Sequence, residues 1–395
     1  LVLKTNNLSF TDLLKNCKIG ITMKELVVAA RNFIFKLFYK LALKPVFFAL
    51  DPEKIHDRAT TFGQFLGKYT LTRTLAGWLF KYSHPSLKQS ILDITFENPV
   101  GLAAGFDKNA LLTDILPSVG FGFVEVGSIT GEPCPGNPGP RLWRLKKSKA
   151  LAVHYGLKND GCEKISQRLK SKKLEIPIGT SIAKTNSRET AETEAGIKDY
   201  VKAYRRFATI GDYSTINISC PNAFGGEPFS DPVKLDKLLT EIDKITTSKP
   251  VFIKMPVDVS EKEIDQILEV VKKHKIQGFI CANLTKKRDN PKIKDKNIPG
   301  KGGLSGKIVE ELSNRQIAYL YRKTAGKCII MGVGGVFSAK DAYKKIKLGA
   351  SLIQMITGMI FEGPQVISEI NSGLVKLIKR DGFKNISEAV GYDIK

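Results

Sequence analysis

The chain has 395 residues, 62 basic against 39 acidic, and a formal net charge of +23. Hydrophobic residues make up 42% and charged residues 26%, an ordinary globular composition that excludes disordered and fibrous chains. Its six cysteines, Cys17, Cys134, Cys162, Cys220, Cys281 and Cys328, form no CxxC pair, so no zinc ribbon, iron–sulfur cluster or thioredoxin motif is expected, nor any metal site.

Scattered thiols point to a reducing compartment. The length fits either two or three domains or one large α/β barrel with additions. The positive charge has three readings: nucleic acid, an anionic membrane surface, or a solvated Lys-rich exterior. No run of 18 uncharged apolar residues occurs, so no membrane-spanning helix is expected.

Residues 1–22 show no clear periodicity and are set apart as an uncertain N-terminal extension, with Met23 as an alternative start. Residues 24–50, KELVVAARNFIFKLFYKLALKPVFFAL, predict an amphipathic helix. Lys36, Lys40 and Lys44 share one face, while Phe33, Ile34, Phe38 and Leu41 occupy others. Such a helix either lies in a bilayer interface with its lysines toward anionic lipid, or packs on its own domain. Pro45 is expected to end or kink it. Asp51-Pro52-Glu53 reads as the next helix start, Asp as cap and Pro in the first turn.

From residue 98 the texture changes to short β-rich apolar runs. They are Pro99–Ala104, Phe121–Gly127, Pro177–Ile182, Ser214–Ser219, Val251–Met255, Gly278–Ala282, Ile329–Val333 and Leu352–Ile356. Helical spacing appears between them at Lys234–Thr246, Glu261–His274, Lys307–Lys323 and Ala339–Lys347. Eight strands buried on both faces and alternating with helices predict a (β/α)₈ TIM barrel, with an open doubly wound sheet as the alternative. The long stretches 128–176 and 284–306 would fall on the chemical face of such a barrel as candidate lids.

Several strand ends carry polar residues aimed at that face: Lys108 after the first, Asn217, Cys220 and Asn222 after the fourth, Lys254 on the fifth and Asn283 after the sixth. Together they suit a planar, anionic, hydrogen-bonding ligand. The last two strands run into Gly334-Gly335 and Thr357-Gly358, where barrels bind phosphate on backbone N–H groups. A phosphate with a planar ring system suits FMN. Cys220 is the candidate base, with His154 as its rival.

The motifs LDPEKIH, NPVGLAAGFDKNA, GFGFVEVGSIT, PGNPGPRLWRL, INISCPN, GGLSG, GVGG and GASLIQ resemble dihydroorotate dehydrogenases of the membrane-associated, quinone-dependent class, from about Phe38 to the C-terminus. The resemblance implies an N-terminal helical module over 23–85 that contacts membrane and quinone, and an FMN-binding barrel over 86–395. It implies FMN contacts at Ala104, Gly105, Lys108, Ser128, Asn217, Lys254, Gly306, Gly334, Gly335, Thr357 and Gly358. Orotate or dihydroorotate would be held by Lys108, Asn217, Asn222 and Asn283. Cys220 would remove the C5 proton, and His56, Arg144 and Tyr321 would line the quinone site.

The implied location is peripheral, on the cytoplasmic face of a bacterial inner membrane or on a mitochondrial inner membrane, with an anionic lipid surface as partner and no nucleic acid. The chain departs from that class at Cys220, where Ser is usual, and at Val153, Leu157, Ser181, Ala282, Leu284 and Ile356. Two other readings stay open: a flavin barrel resembling tRNA dihydrouridine synthases, and a flavin-binding membrane protein without turnover.

Overall fold

The structure is a computed structural model that describes residues 22–172, 174–226 and 228–394. Residues 1–21 of the uncertain extension, including Cys17, lie outside it. Eight parallel strands close into a barrel: β3 (Val100–Leu102), β4 (Phe123–Ile129), β7 (Ile178–Ile182), β8 (Tyr213–Asn217), β9 (Val251–Lys254), β10 (Gly278–Cys281), β12 (Ile329–Val333) and β13 (Leu352–Met355). Each neighbour follows the last in the chain, and β13 pairs with β3 to complete the ring. All eight expected strands are present and the open-sheet alternative falls away.

A short hairpin, β1 (Gln89–Ile91) and β2 (Ile94–Phe96), closes the N-terminal end of the barrel. Leu92 and Asp93, both at positive φ (50° and 61°), make its two-residue turn. Phe96 enters the barrel and meets Phe123 edge-on at 5.3 Å, and Tyr213 meets Phe252 at 5.5 Å. These rings fill the lower interior with Ile280, Met331 and Leu352. Room for them comes from glycine on the adjoining strand. A Cβ at Gly179 would overlap the Tyr213 ring, and one at Gly101 the Phe123 ring. Gly179→Ala is therefore expected to cost about 1–3 kcal/mol by overpacking, read as a lower denaturation midpoint in urea.

The two long stretches meet above the opposite end. β5 (Leu142–Leu145) and β6 (Ala150–Val153) pair antiparallel, and β11 (Gly303–Leu304), from the second stretch, adds to β6. Neither is a loose lid. Together they form a three-stranded cap over the C-terminal ends of the barrel strands.

Among the described residues, four α-helices precede the barrel: α1 (Met23–Phe38), α2 (Lys44–Ala49), α3 (Pro52–Lys68) and α4 (Thr70–Phe80). Thr22 and Glu25 form a capping box on α1, and the Asp51 side chain accepts from Lys54 N on α3. Pro45 has no N–H to donate one turn back. The chain passes it through a π turn, Tyr39–Leu43, in which Lys44 N bonds Tyr39 O.

The lysine stripe Lys36, Lys40 and Lys44 turns toward the barrel, in line with the second of its two readings, packing on its own domain. Lys36 pairs with Glu369 at 3.1 Å and Lys40 with Glu362 at 2.7 Å. Lys44 donates to the Phe361 carbonyl at 2.8 Å. The partners belong to the two C-terminal helices, so the stripe docks these helices onto the barrel. The opposite face is bare. Among the described residues, fifteen of the nineteen exposed large hydrophobic side chains lie between Met23 and Trp78, well beyond the scattered apolar exposure of an ordinary surface.

The basic runs 286–301 and 344–347 are partly engaged within the fold. Lys292 pairs with Glu310, Lys344 with Glu311 and Lys347 with Asp393, and Lys345 is fully buried. No helix among the described residues is long and apolar enough to cross a membrane.

Candidate active site

The C-terminal ends of the barrel strands and the cap enclose a cavity of about 210 Å³. Its floor is polar because the barrel interior changes character halfway up. Above the aromatic layer lie Glu125, Thr215, Gln354 and Lys254, all buried. Gln354 Nε2 donates to Glu125 at 2.8 Å. Burial pushes Glu125 above the usual carboxylate range and Lys254 below the usual ammonium range, and the charge of each partly offsets the shift of the other.

Lys108, Asn217, Cys220, Asn222 and Asn283 all line this cavity, as do Ala104, Gly105, Ser128, Lys254, Gly306, Gly334, Gly335, Thr357 and Gly358. Asn217 donates to Ser128 Oγ at 2.8 Å, and Ser128 shares a hydrogen bond of 2.8 Å with Ser181. Asn283 donates to Ser219 O at 2.8 Å, and Asn222 to Val153 O at 2.9 Å. Val153 thus serves through its carbonyl, although its side chain cannot hydrogen-bond. Lys108 Nζ stands 4.0 Å from the Tyr155 ring centre. Burial is the largest cause that pulls it down to about 8.

His56, on α3, closes the cavity on the side of the N-terminal helices. Burial first, then the Lys108 charge, pulls it down to about 4, so its ring is neutral at neutral pH. Its Nε2 lies 2.9 Å from Phe106 O and must donate, since a carbonyl only accepts. Nδ1 is therefore a buried acceptor; among the described residues it has no hydrogen-bond partner, and Asp57 Oδ1 stands 3.5 Å away.

One expectation needs correction, and two further candidates stand outside the cavity lining. Tyr321 is not at the site: it lies on the helix Glu310–Lys323, its hydroxyl bonds Val390 O at 3.4 Å, and its ring packs against Gly349 and Gly391. Arg144 lies on β5 outside the cavity wall, donating to Leu50 O at 2.8 Å with its guanidinium 4.9 Å from the Phe48 ring centre. His154 does follow a strand, β6, but it also stays outside the cavity and meets Asn137 Nδ2 at 3.4 Å.

Sequence reasoning passed over Glu125, Gln354, Tyr155 and Ser305. The first two carried a readable signal, a polar residue inside the apolar runs FVEV and LIQM. The cap residues Tyr155 and Ser305 had none.

Residues 86–378 match the family model described as dihydroorotate dehydrogenase. The chain belongs to the dihydroorotate dehydrogenase family. Every cavity-lining residue except His56 falls within that dihydroorotate dehydrogenase match. Relatives carry the likeness into the N-terminal helices. The Natronomonas pharaonis protein named dihydroorotate dehydrogenase (quinone) is 38% identical over 89% of this chain and 98% of its own. The Nostoc punctiforme protein of the same name is 36% identical over 90% of this chain and 98% of its own. Among solved structures, that of DHODH in complex with ferulenol from Eimeria tenella superposes with a TM-score of 0.78. It is 30% identical and covers 87% of this chain and 96% of its own.

Proposed function

We propose that this protein is an FMN-dependent dihydroorotate dehydrogenase that oxidises dihydroorotate to orotate in pyrimidine biosynthesis and delivers the electrons to a membrane quinone. The observation that carries this reading is the convergence of a thiol, a buried ammonium and three amides on one cavity at the chemical face of a barrel.

The cavity suits FMN. Gly334, Gly335 and Gly306 hold positive φ (112°, 77° and 73°), and a Cβ at Gly358 would overlap Val336 O, so bare backbone faces the place of the phosphate. Among the described residues, Gln354 Oε1, Glu125 Oε1 and the Tyr155 hydroxyl, at or beneath the wall, have no hydrogen-bond partner. Ser128, Asn217 and Lys254 would meet the ring system. When bound, FMN supplies the hydride acceptor.

The protein's own groups do the rest. Lys108 offers its charge to the substrate carboxylate, and Asn217, Asn222 and Asn283 fix the plane of the ring. The Cys220 sulfur takes the proton from C5. His56 Nδ1, an acceptor, fits the hydroxyl of a quinol, and Leu142, Ile356 and Ile360 wall that side of the cavity with apolar surface. The bare apolar face of α1–α4 would seat the protein on a membrane.

Two tests separate these claims. Anaerobic addition of dihydroorotate to the FMN-loaded protein is expected to bleach the flavin, and a soluble quinone to restore its colour; failure to bind FMN ends the reading. In vesicle flotation, Leu71→Glu with Trp78→Glu, at sites 79% and 70% exposed, is expected to weaken membrane binding at least about tenfold, since each apolar side chain contributes about 1.5–3 kcal/mol on burial. Unchanged flotation would reject this membrane face.

A further inference from the structure

Cys220 is shared by two cavities. Behind it, on the side away from the substrate, lies a second space of about 10 Å³, walled by Lys184, Tyr200, Ala223, Phe229 and Leu157. Such a space is about the size of one water. The sulfur therefore borders both the main cavity and a small compartment whose titratable groups are Lys184 and Tyr200.

Lys184 follows β7 and is 3% exposed. Its Nζ donates to the carbonyl of Phe224, in the loop that carries Cys220, at 2.8 Å. Asn186 Oδ1 accepts from Phe224 N at 2.6 Å, so two residues of one segment latch that loop. Among the described residues Lys184 forms no ion pair. Its nearest acidic influence is Asp199, whose oxygens are already engaged by Thr185 and Gly131. A buried ammonium served only by a neutral carbonyl is costly and calls for an anion nearby.

That anion is at hand. We propose that Lys184 is a positioning residue for Cys220: it pins the loop that carries the sulfur and supplies the positive charge that holds the sulfur as a thiolate. The thiolate is the form that accepts the proton. An S–H bond forms as the C5–H bond breaks, and the electron pair stays on the substrate.

The surroundings agree. Burial pushes the Lys184 ammonium down, and the charge of Cys220 is the first influence that opposes it. Three elements bring titratable groups to the sulfur: Lys184 after β7, Lys254 on β9 and Tyr200 on the helix Thr193–Phe207. Burial holds the Tyr200 phenol protonated, and it donates to Asn217 O at 2.8 Å. Asp199 stands behind Lys184. Lys254 is already committed to the barrel floor, where Glu125 is its largest favourable partner. Lys184 is left as the cation for the sulfur.

The proposal rests on Cys220 as the base, and its test reads the thiolate rather than turnover. Iodoacetamide labelling of the FMN-loaded full chain is followed against pH by mass spectrometry of the Cys220 peptide, with Cys220→Ala as the blank. In Lys184→Met the labelling midpoint is expected to rise by about one pH unit, so labelling at pH 7 slows about tenfold, and Lys184→Arg should restore most of it. Lys184→Gln serves if the Met variant does not fold. An unchanged midpoint in a folded, flavin-loaded Met or Gln variant overturns the proposal, as does an equal rise in the Arg variant. Loss of the base assignment would show separately, as normal flavin bleaching in Cys220→Ala.

Discussion

Cys220→Ala is expected to slow anaerobic flavin reduction by dihydroorotate by about 10²–10⁴, the usual contribution of a positioned general base. FMN binding should survive, because the glycines of the cofactor cradle lie on other loops and the thiol fills no core position. Cys220→Ser tests the chemistry more finely. A hydroxyl gives up its proton far less readily than a thiol, so the serine variant should be slow near neutral pH and gain rate as pH rises. Stopped-flow absorbance separates the cases, and an alanine variant that bleaches its flavin at the wild-type rate would remove Cys220 from the mechanism.

A second large effect is expected at Lys108, whose ammonium is pulled down to about 8, chiefly by burial. The cation is present below that value and lost above it, and the proposed recognition of the substrate carboxylate by Lys108 needs the cation. The kcat/KM for dihydroorotate should therefore fall about tenfold per pH unit above about pH 8, because this ratio reports the free enzyme. At saturating substrate the bound carboxylate favours the ammonium, so kcat should hold to higher pH. Lys108→Met should raise KM about 10–100-fold, corresponding to about 1.5–3 kcal/mol for a hydrogen bond to a charged group, and should flatten the alkaline limb. An alkaline limb that persists in the Met variant would assign it to another group.

Both predictions rest on residues that were legible before any coordinates. In a barrel, strand order follows chain order, so residues just past consecutive apolar runs must share one rim. Lys108, Asn217, Cys220, Asn222, Lys254 and Asn283 could be gathered on that argument alone, and all line the cavity. Tyr321 could not be placed this way, because it is helical, and periodicity does not say which neighbour a helix face meets. It belongs to the packing beside Gly349 and Gly391.

The same limit explains the lysine stripe. Helical spacing put Lys36, Lys40 and Lys44 on one face, but two surfaces could cover that face, lipid headgroups or acidic side chains of the same chain. Glu362 and Glu369 are more than 300 positions away, and only the closed fold brings them near.

The sequence by itself determined the barrel and the rim on which the candidate residues gather, because alternating apolar periods and strand-end residues are local properties. Tertiary structure alone decided how the two long stretches join into a cap, which face of the N-terminal helices stays bare, and that Lys184 stands behind Cys220. Each of these depends on contacts between segments distant in the chain, whose pairing no local period encodes.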